Sequence, residues 1–261
     1  SDGQMHLWGR NDYHQVRGKP ELKPGITWRS VAAGGGHTAG IASDGQLYVW
    51  GSNQYNQTRG KPELEEFLTW RSVAAGSLHT AAIASDGQLH LWGYDGHDKR
   101  VTGKPELKAG VTWQSVSVGR EHTAAIDSDG QMHLWGRNDY HQVRGKPELK
   151  PGITWRSVAA GGGHTAGIAS DGQLYVWGSN QYNQTRGKPE LEEFLTWRSV
   201  AAGSLHTAAI ASDGQLHLWG YDGHDKRVTG KPELKAGVTW QSVSVGREHT
   251  AAIDSDGQMH L

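Results

Sequence analysis

The sequence predicts an all-β fold built from six short repeats, and three observations lead to this prediction. The tetrad Ser-Asp-Gly-Gln recurs at intervals of 42 or 43 residues along the 261-residue chain. Short runs of β-favouring residues alternate with Gly-rich turns inside each interval. No segment has apolar residues at helical spacing over a length sufficient to predict a helix. Units of this length with three to four antiparallel strands are typical of β-propeller blades, and here they begin at residues 1, 43, 85, 128, 170 and 212.

The chain consists of three different units that are each used twice. Residues 128–254 repeat residues 1–127 without a change, and residues 255–261 repeat the first strand. We interpret residues 1–261 as a single repeat domain. An unaltered repeat is expected from a very recent duplication, an engineered concatenation or an excerpt from a longer identical array. An open spiral or a segment of a longer array is therefore an alternative to a closed ring of six blades.

One unit shows the elements expected of a blade. Strands are predicted at residues 27–34, 37–42 and 46–50. Asp44-Gly45 is a strong hairpin signal, since Gly accepts a positive φ at little cost. The third strand is apolar or aromatic on both sides, which predicts that it is covered on both faces. The Gly-Lys-Pro-Glu-Leu segment of each unit suits a loop or an edge, and residues 63–68 are the only weak helical candidate.

Small and large side chains have separate places in this scheme. Ala32, Ala33 and Gly34 suit innermost strands, where neighbouring blades converge and only small residues fit. Trp28 and Trp50 suit the wider gaps between blades. Ring closure requires a strand from one terminus in the last sheet, either from Gln4–Trp8 or from Gln258–Leu261. An unpaired terminal strand would also allow self-association with a second chain.

Composition excludes several classes of function. The net charge of -1 means that the chain lacks the excess of basic residues typical of nucleic-acid binding. No run of apolar residues is long enough for membrane insertion. Without cysteine the chain has neither disulfides nor thiolate metal sites, and both an extracellular and a cytoplasmic location are allowed. We expect no cofactor and no metal ion.

The amino-acid pattern of the repeat resembles that of a known family. Val-Ala-Ala-Gly-x-x-His-Thr followed by Asp-Gly-x-Leu-Tyr-x-Trp-Gly-x-Asn is similar to the repeat of the regulator of chromosome condensation family of β-propellers. The short unit is most similar to the compact version in β-lactamase inhibitor protein II. The resemblance implies a propeller, usually of seven blades, that binds protein partners through loops on one face. Because this chain has six units and no long insertion, nucleotide exchange is not expected.

One histidine occupies an equivalent position in every unit. A ring of metal ligands or bases is one interpretation, and a hydrogen bond that stabilises each blade is the other. The second is more economical, because a catalytic or metal site needs different residue types that converge on one point. We interpret the Asp of each Ser-Asp-Gly turn as a residue that favours the turn itself. The histidines are His37, His79, His122, His164, His206 and His249.

The loops after the third strand differ between units and are the predicted binding site. They present tyrosine, histidine and amide side chains, and tyrosine is enriched at interface hot spots. Since the units recur after three blades, each site is expected twice. The predicted partner-binding residues are Tyr13, His14, Tyr55, Asn56, Tyr94, His97, Tyr140, His141, Tyr182, Asn183, Tyr221 and His224.

Two functions fit this pattern. The first is a non-enzymatic binding module or structural scaffold that presents its variable loops to a protein partner. The alternative is a multivalent lectin that binds surface glycans, which would need the same sugar site in most units. An enzyme is not expected, because no nucleophile–base pair, metal cluster or cofactor loop stands out.

Overall fold

A computed structural model describes residues 4–7, 11–222, 228–246 and 249–260 of the chain. All regular structure in these residues is β, and none of them lies in a helix. The strands are β1 (Trp28–Ala33), β2 (His37–Ala42), β3 (Leu47–Gly51), β4 (Trp70–Ala75), β5 (His79–Ala84), β6 (Leu89–Gly93), β7 (Trp113–Val118), β8 (His122–Asp127), β9 (Met132–Gly136), β10 (Trp155–Ala160), β11 (His164–Ala169), β12 (Leu174–Gly178), β13 (Trp197–Ala202), β14 (His206–Ala211), β15 (Leu216–Gly220), β16 (Trp240–Val245), β17 (Thr250–Asp254) and β18 (Met259–His260).

The strands form six three-stranded antiparallel sheets, each from three consecutive strands in chain order. This confirms the predicted repeat of short antiparallel strands, with boundaries within two residues of those expected in the unit at residues 27–51. The weak helical candidate at residues 63–68 was wrong. A turn forms there instead, in which Leu68 N donates to Glu65 O at 3.1 Å.

Local chemistry accounts for the hairpin between the second and third strands of each sheet. Gly45 has a φ of 80°, where a residue with a side chain would be strained. Asp44 Oδ1 accepts a hydrogen bond from Gln46 N at 3.0 Å, as turn chemistry predicts. Ser43 Oγ accepts from Thr27 N at 3.1 Å and so ties the incoming chain to the hairpin.

The chain divides into two compact units. Ser1–Ser128 and Trp135–Arg137 form unit 1, and Asp129–Leu134 and Asn138–Leu261 form unit 2. In unit 1, Ile41 and Leu47 of one sheet pack against Trp70 and Trp92 of the next sheet. The tryptophans therefore fill the space between neighbouring sheets of this unit, as predicted. A second cluster repeats the arrangement with Ile83, Leu89, Trp113 and Trp135.

Unit 2 contains the same two kinds of cluster. Ile168 and Leu174 pack with Trp197 and Trp219, and the next cluster includes Ile210, Leu216 and Trp240. Trp155 and Trp177 have ring centroids 5.9 Å apart, which shows how the two tryptophans of one sheet lie together. Burying rings of this size is the main source of stability between sheets.

Small residues at the ends of the first strands are required by close backbone approach. A Cβ added at Gly34 would lie 2.4 Å from Gly76 O, and one added at Gly76 would lie 2.5 Å from Gly119 O. Gly35 N donates to Gly76 O at 2.9 Å. The prediction that only small side chains fit here is therefore confirmed at the glycine position, whereas Ala33 is exposed and Val118 stands at its equivalent position in the third repeat.

The two terminal copies of the first strand have different surroundings. Met259 and His260 form β18 and pair with Ile253 and Ala252 of β17, so the C-terminal copy completes its own sheet. The side chain of Met259 is 50% exposed. Residues 4–7 form no strand, yet Met5 is buried and its carbonyl accepts from Lys19 Nζ at 3.0 Å. Trp8 and Leu261 lie outside the described residues.

Candidate functional site

The loops that follow each third strand lie at the same end of the sheets as the turn between the first and second strands. Ser52 N donates to Gly36 O at 2.8 Å, and Tyr94 N donates to Leu78 O at 3.0 Å. Antiparallel pairing requires this arrangement, since the third strand runs back beside the start of the second. We call these segments the post-strand loops: residues 11–18, 52–60, 94–103, 137–145 and 179–187, with the described part of residues 221–230.

An acidic or amide side chain organises each complete post-strand loop. Asn53 Oδ1 accepts from the backbone nitrogens of Thr58 and Arg59, at 3.2 and 2.9 Å. In the longer third loop Asp95 does the same for Val101 and Thr102, at 2.7 and 3.0 Å. Burial alone would raise the pKa of Asp95, but these bonds, the Thr102 hydroxyl and nearby Arg100 together lower it. The loops are thus held in one conformation by their own side chains.

The predicted tyrosines are exposed, and four of them form two pairs. Ring centroids lie 4.9 Å apart for Tyr55 and Tyr94 and 4.9 Å apart for Tyr182 and Tyr221. Each pair joins the loops of neighbouring repeats inside one unit. All six predicted tyrosines are between 36% and 43% exposed. Each pair therefore offers a continuous aromatic surface to solvent.

Tyr13 and Tyr140 have a different environment from the paired tyrosines. A Cβ added at Gly36 would lie 3.2 Å from Cδ2 of Tyr13, so that ring lies over the glycine turn between β1 and β2. Tyr140 lies over Gly163 in the same way. A larger residue at these turns would force the ring to shift.

Several of the predicted site residues also adopt a left-handed backbone conformation in their loops, a structural role that the sequence did not predict. His14 and Asn56 have φ values of 61° and 60°, and their copies His141 and Asn183 have 61° and 60°. All four are exposed, so each combines a left-handed turn position with an outward side chain. His97 is exposed as well, whereas in its loop the left-handed position belongs to Lys99, with a φ of 52°. His224 lies outside the described residues.

The repeated histidines link neighbouring sheets. His37 Nε2 lies 2.8 Å from Thr80 Oγ1, and His79 Nε2 lies 2.9 Å from Thr123 Oγ1. His164 and His206 make the same contact with Thr207 and Thr250, at 2.9 Å in both cases. This geometry supports the structural interpretation of the histidines. His249, the last of the series, is exposed.

Burial keeps these rings neutral. It lowers the pKa of His37 and of His122 to about 4. For His79, burial is again the largest cause, and the charge of Arg100 adds to it, so the pKa falls to about 3. A buried imidazolium would lose its hydration without a compensating anion. In the described part of the chain, no three His, Asp or Glu side chains are placed to hold a metal ion together.

The residue after the left-handed position anchors each loop to the next sheet along the chain, and sequence reasoning missed it. The carbonyl oxygen of Gln57 accepts from Trp92 Nε1 and Thr80 Oγ1, at 2.9 and 3.0 Å. The same position is Arg100 in the third repeat, where the carbonyl accepts from Trp135 Nε1 at 2.9 Å. The change from Gln to Arg between repeats was the available sequence signal.

Family comparison agrees with the resemblance seen in the sequence. The regulator of chromosome condensation (RCC1) repeat matches residues 28–57, 113–142 and 155–184. The RCC1 repeat model therefore matches three segments of the chain, which together make up about a third of it. A comparison with curated protein sequences finds no match. No helix among the described residues is both long and apolar enough to cross a membrane.

Solved structures share the fold. Yeast RCC1 (Prp20) bound to Kap60 matches with a TM-score of 0.70 and 19% identity, over 89% of this chain and 69% of that one. Prp20p from Saccharomyces cerevisiae, described with its binding to Gsp1p and histones, matches at 0.71 and 20%, over 89% and 71%. Human WBSCR16 matches at 0.70 and 20%, over 87% and 72%. The chain thus has the RCC1-like β-propeller fold.

Proposed function

We propose that this RCC1-like chain is a non-enzymatic module that binds a protein partner through its post-strand loops. The observation that carries the proposal is the exposed pair Tyr55–Tyr94 and its copy Tyr182–Tyr221. Such pairs have no evident role in packing between sheets, since the buried clusters consist of Ile, Leu, Val, Ala and Trp. Proteins of similar fold bind other proteins, among them the yeast RCC1 crystallised with Kap60.

The loops are suited to recognition because they are already ordered. Asn53 and Asp95 hold the backbone on either side of the pair, so little conformational entropy is lost on binding. Tyrosine provides a large contact area with few rotatable bonds and a hydroxyl for hydrogen bonding. A protein surface with a complementary apolar patch would bury both rings together.

The predicted site residues outside the pairs extend the same surface. His14, Asn56 and His97, with the copies His141 and Asn183, are exposed on post-strand loops. Tyr13 and Tyr140 add a further aromatic group in each unit. Because residues 128–254 repeat residues 1–127, each compact unit carries its own site. Two sites on one chain would strengthen attachment to a repetitive partner well beyond the affinity of a single site.

The test is a selection for binders with a matched control. The chain is used to select binders from a displayed peptide and protein library, and each binder is then measured against Tyr55→Ala, Tyr94→Ala, Tyr182→Ala and Tyr221→Ala combined. The control variant, Phe67→Ala with Phe194→Ala, removes two rings that are 91% exposed and that precede β4 and β13 at the opposite end of their sheets.

We expect selected binders to lose at least about tenfold in affinity with the tyrosine variant, because two hot-spot rings are truncated in each site. The control should bind as the unaltered chain does. Equal loss with both variants, or loss only with the phenylalanine variant, would contradict the proposal and move the site to the other end of the sheets. A glycan array run in parallel tests the lectin alternative, and light scattering tests self-association.

A further inference from the structure

Arg100 is a buried cation whose hydrogen-bonding capacity is largely unused. The residue is only 4% exposed, and neither Nε nor Nη1 has an acceptor among the residues that the structure describes. Nη2 donates to Asp98 Oδ2 at 3.3 Å, which is long for a charge-assisted hydrogen bond. A buried guanidinium in this state has lost hydration that the protein replaces only in part.

The fold does not require arginine at this position. Gln57 occupies the equivalent place in the preceding repeat, where its Oε1 accepts from Tyr55 N at 2.8 Å and its Nε2 donates to Ser52 Oγ at 3.2 Å. The contact that anchors the loop to the next sheet involves only the carbonyl oxygen, which either residue supplies. The charge of Arg100 is therefore an addition that loop formation leaves unexplained.

The surroundings of the guanidinium connect it to the tyrosine surface. Its central carbon lies 4.9 Å from the centroid of the Tyr94 ring, the same ring that pairs with Tyr55. A Cβ added at Gly96 would lie 3.1 Å from Cε1 of Tyr94 and 3.3 Å from Nη2, so the glycine backbone lies close to both the ring and the guanidinium. The Asp98 side chain is 36% exposed and can turn outward to solvent.

We propose that Arg100 forms the base of an oxyanion site that receives a carboxylate from an acidic side chain of the partner. This inference deepens the proposed function and rests on it, because the carboxylate belongs to the proposed protein partner. Asp98 is the internal occupant, and the incoming carboxylate replaces it at Nη2 and brings a second oxygen toward Nε or Nη1. A guanidinium edge matches the two oxygens of a carboxylate, so the exchange replaces one long hydrogen bond with two short ones.

The experiment uses small probes on the full chain labelled with ¹⁵N. The arginine Nε–H signals are followed during titration with acetyl-Gly-Glu-Gly-amide, with acetyl-Gly-Gln-Gly-amide and with inorganic phosphate. Two variants are compared with the unaltered chain: Asp98→Asn with Asp225→Asn, and Arg100→Gln with Arg227→Gln. The second member of each pair is the copy at the identical sequence position. Arg100→Gln restores the residue of the neighbouring repeats, so the fold should tolerate it.

The glutamate peptide should shift one set of arginine signals with millimolar affinity, and the glutamine peptide should not. Asp98→Asn should tighten glutamate binding about fivefold or more, because the competing carboxylate is gone. Arg100→Gln should abolish binding. Equal binding of the two peptides, or binding that survives Arg100→Gln, would overturn the site. If that variant fails to fold, Asp98→Asn decides alone, and binding no tighter than in the unaltered chain overturns the proposal.

Three further outcomes test the site and separate it from the proposed function. Phosphate binding without any glutamate binding would show a site for a free anion, which contradicts a partner carboxylate. Glutamate binding at Arg100 without tyrosine-dependent protein binders would leave the site standing and refute the binding module. Protein binders that depend on the tyrosines but not on Arg100 would support the binding module and refute the Arg100 site.

Discussion

His37 on β2 donates from Nε2 to Thr80 Oγ1 on β5, a residue of the neighbouring sheet in the same unit. Thr80 Oγ1 in turn donates its single proton to Gln57 O at 3.0 Å. The threonine can therefore only accept from the histidine, which places the proton of the neutral ring on Nε2. This relay joins a sheet, its neighbour and a post-strand loop, so the repeated histidine belongs to the folding of every pair of sheets that it links.

Breaking the relay should cost stability. Thr80→Val with Thr207→Val preserves shape but leaves the histidine N–H without an acceptor, and we expect about 1–3 kcal/mol of destabilisation per site in denaturant unfolding. The control is Thr58→Val with Thr185→Val, which removes a half-buried loop hydrogen bond to Asn53 or Asn180. The control should cost less than the relay variant. An unchanged unfolding midpoint for Thr80→Val would show that the relay contributes nothing.

Stability should fall as the solution is acidified from pH 6.5 toward pH 4. The folded pKa values of His37, His79 and His122 are about 4, 3 and 4, below the ordinary 6.5. The unfolded chain therefore takes up protons first as the pH falls, and each unit of pKa difference is worth about 1.4 kcal/mol when fully developed. Above pH 7 these groups contribute no pH dependence.

Denaturant unfolding between pH 7.5 and pH 5 measures this effect before most carboxylates titrate. A free energy of unfolding that stays flat over that interval would mean that the histidines are protonated equally in the folded and unfolded chain.

Replacing Phe67 and Phe194 by glycine should stabilise the protein. Both are 91% exposed at left-handed φ values of 73° and 72°, where glycine stands at Gly25 and Gly110 in the other repeats. Relief of about 1–2 kcal/mol of backbone strain per residue exceeds the cost of a more flexible unfolded chain, about 0.4–1 kcal/mol. Thermal unfolding should show a higher midpoint for Phe67→Gly with Phe194→Gly. Phe67→Ala with Phe194→Ala, which keeps the strain, should leave the midpoint nearly unchanged, and a lower midpoint for the glycine variant would refute the prediction.

A single methyl group at Gly76 should disturb the packing of neighbouring sheets. Its Cβ would lie 2.5 Å from both Gly119 O and Val118 Cγ1. We expect Gly76→Ala with Gly203→Ala to destabilise by about 1–3 kcal/mol per site in denaturant unfolding, since the backbone carbonyl cannot move without shifting its strand. Ser77→Ala with Ser204→Ala, at the next residue, serves as the control. Equal stability of the two variants would show that the sheets can separate at little cost.

Much of the fold could be predicted from the sequence, because its signals are local and repeated. Asp44-Gly45 specifies a hairpin by its own φ preference, and the two-sided apolar pattern of residues 47–50 specifies a covered strand. At least six copies of each signal allowed the strand boundaries to be predicted. The helical candidate at residues 63–68 failed because it occurs in only one kind of unit and rests on weak propensity.

The candidate site could be predicted only in part. The sequence located the exposed tyrosines, since they stand in the segments that vary between units. It could not show that Tyr55 meets Tyr94 rather than Tyr13, because that contact depends on how one sheet packs beside the next. It also treated His14 and Asn56 as free of structural duty, although their left-handed backbone closes the loops.

The sequence by itself determined the number of repeats, the strands in each repeat and the residues that lie outside the core. It could do so because spacing and turn chemistry act between residues that are near in the chain. Only the tertiary structure decided what the buried polar groups do. His37 and Thr80 come from different repeats, and their relay exists only when the two sheets pack. Arg100 reads as one more loop cation in the sequence, but packing buries it beneath Tyr94 with Asp98 as its only described acceptor. Burial changes the energy of a charge far more than its position in the chain does, and burial is a property of the assembled sheets.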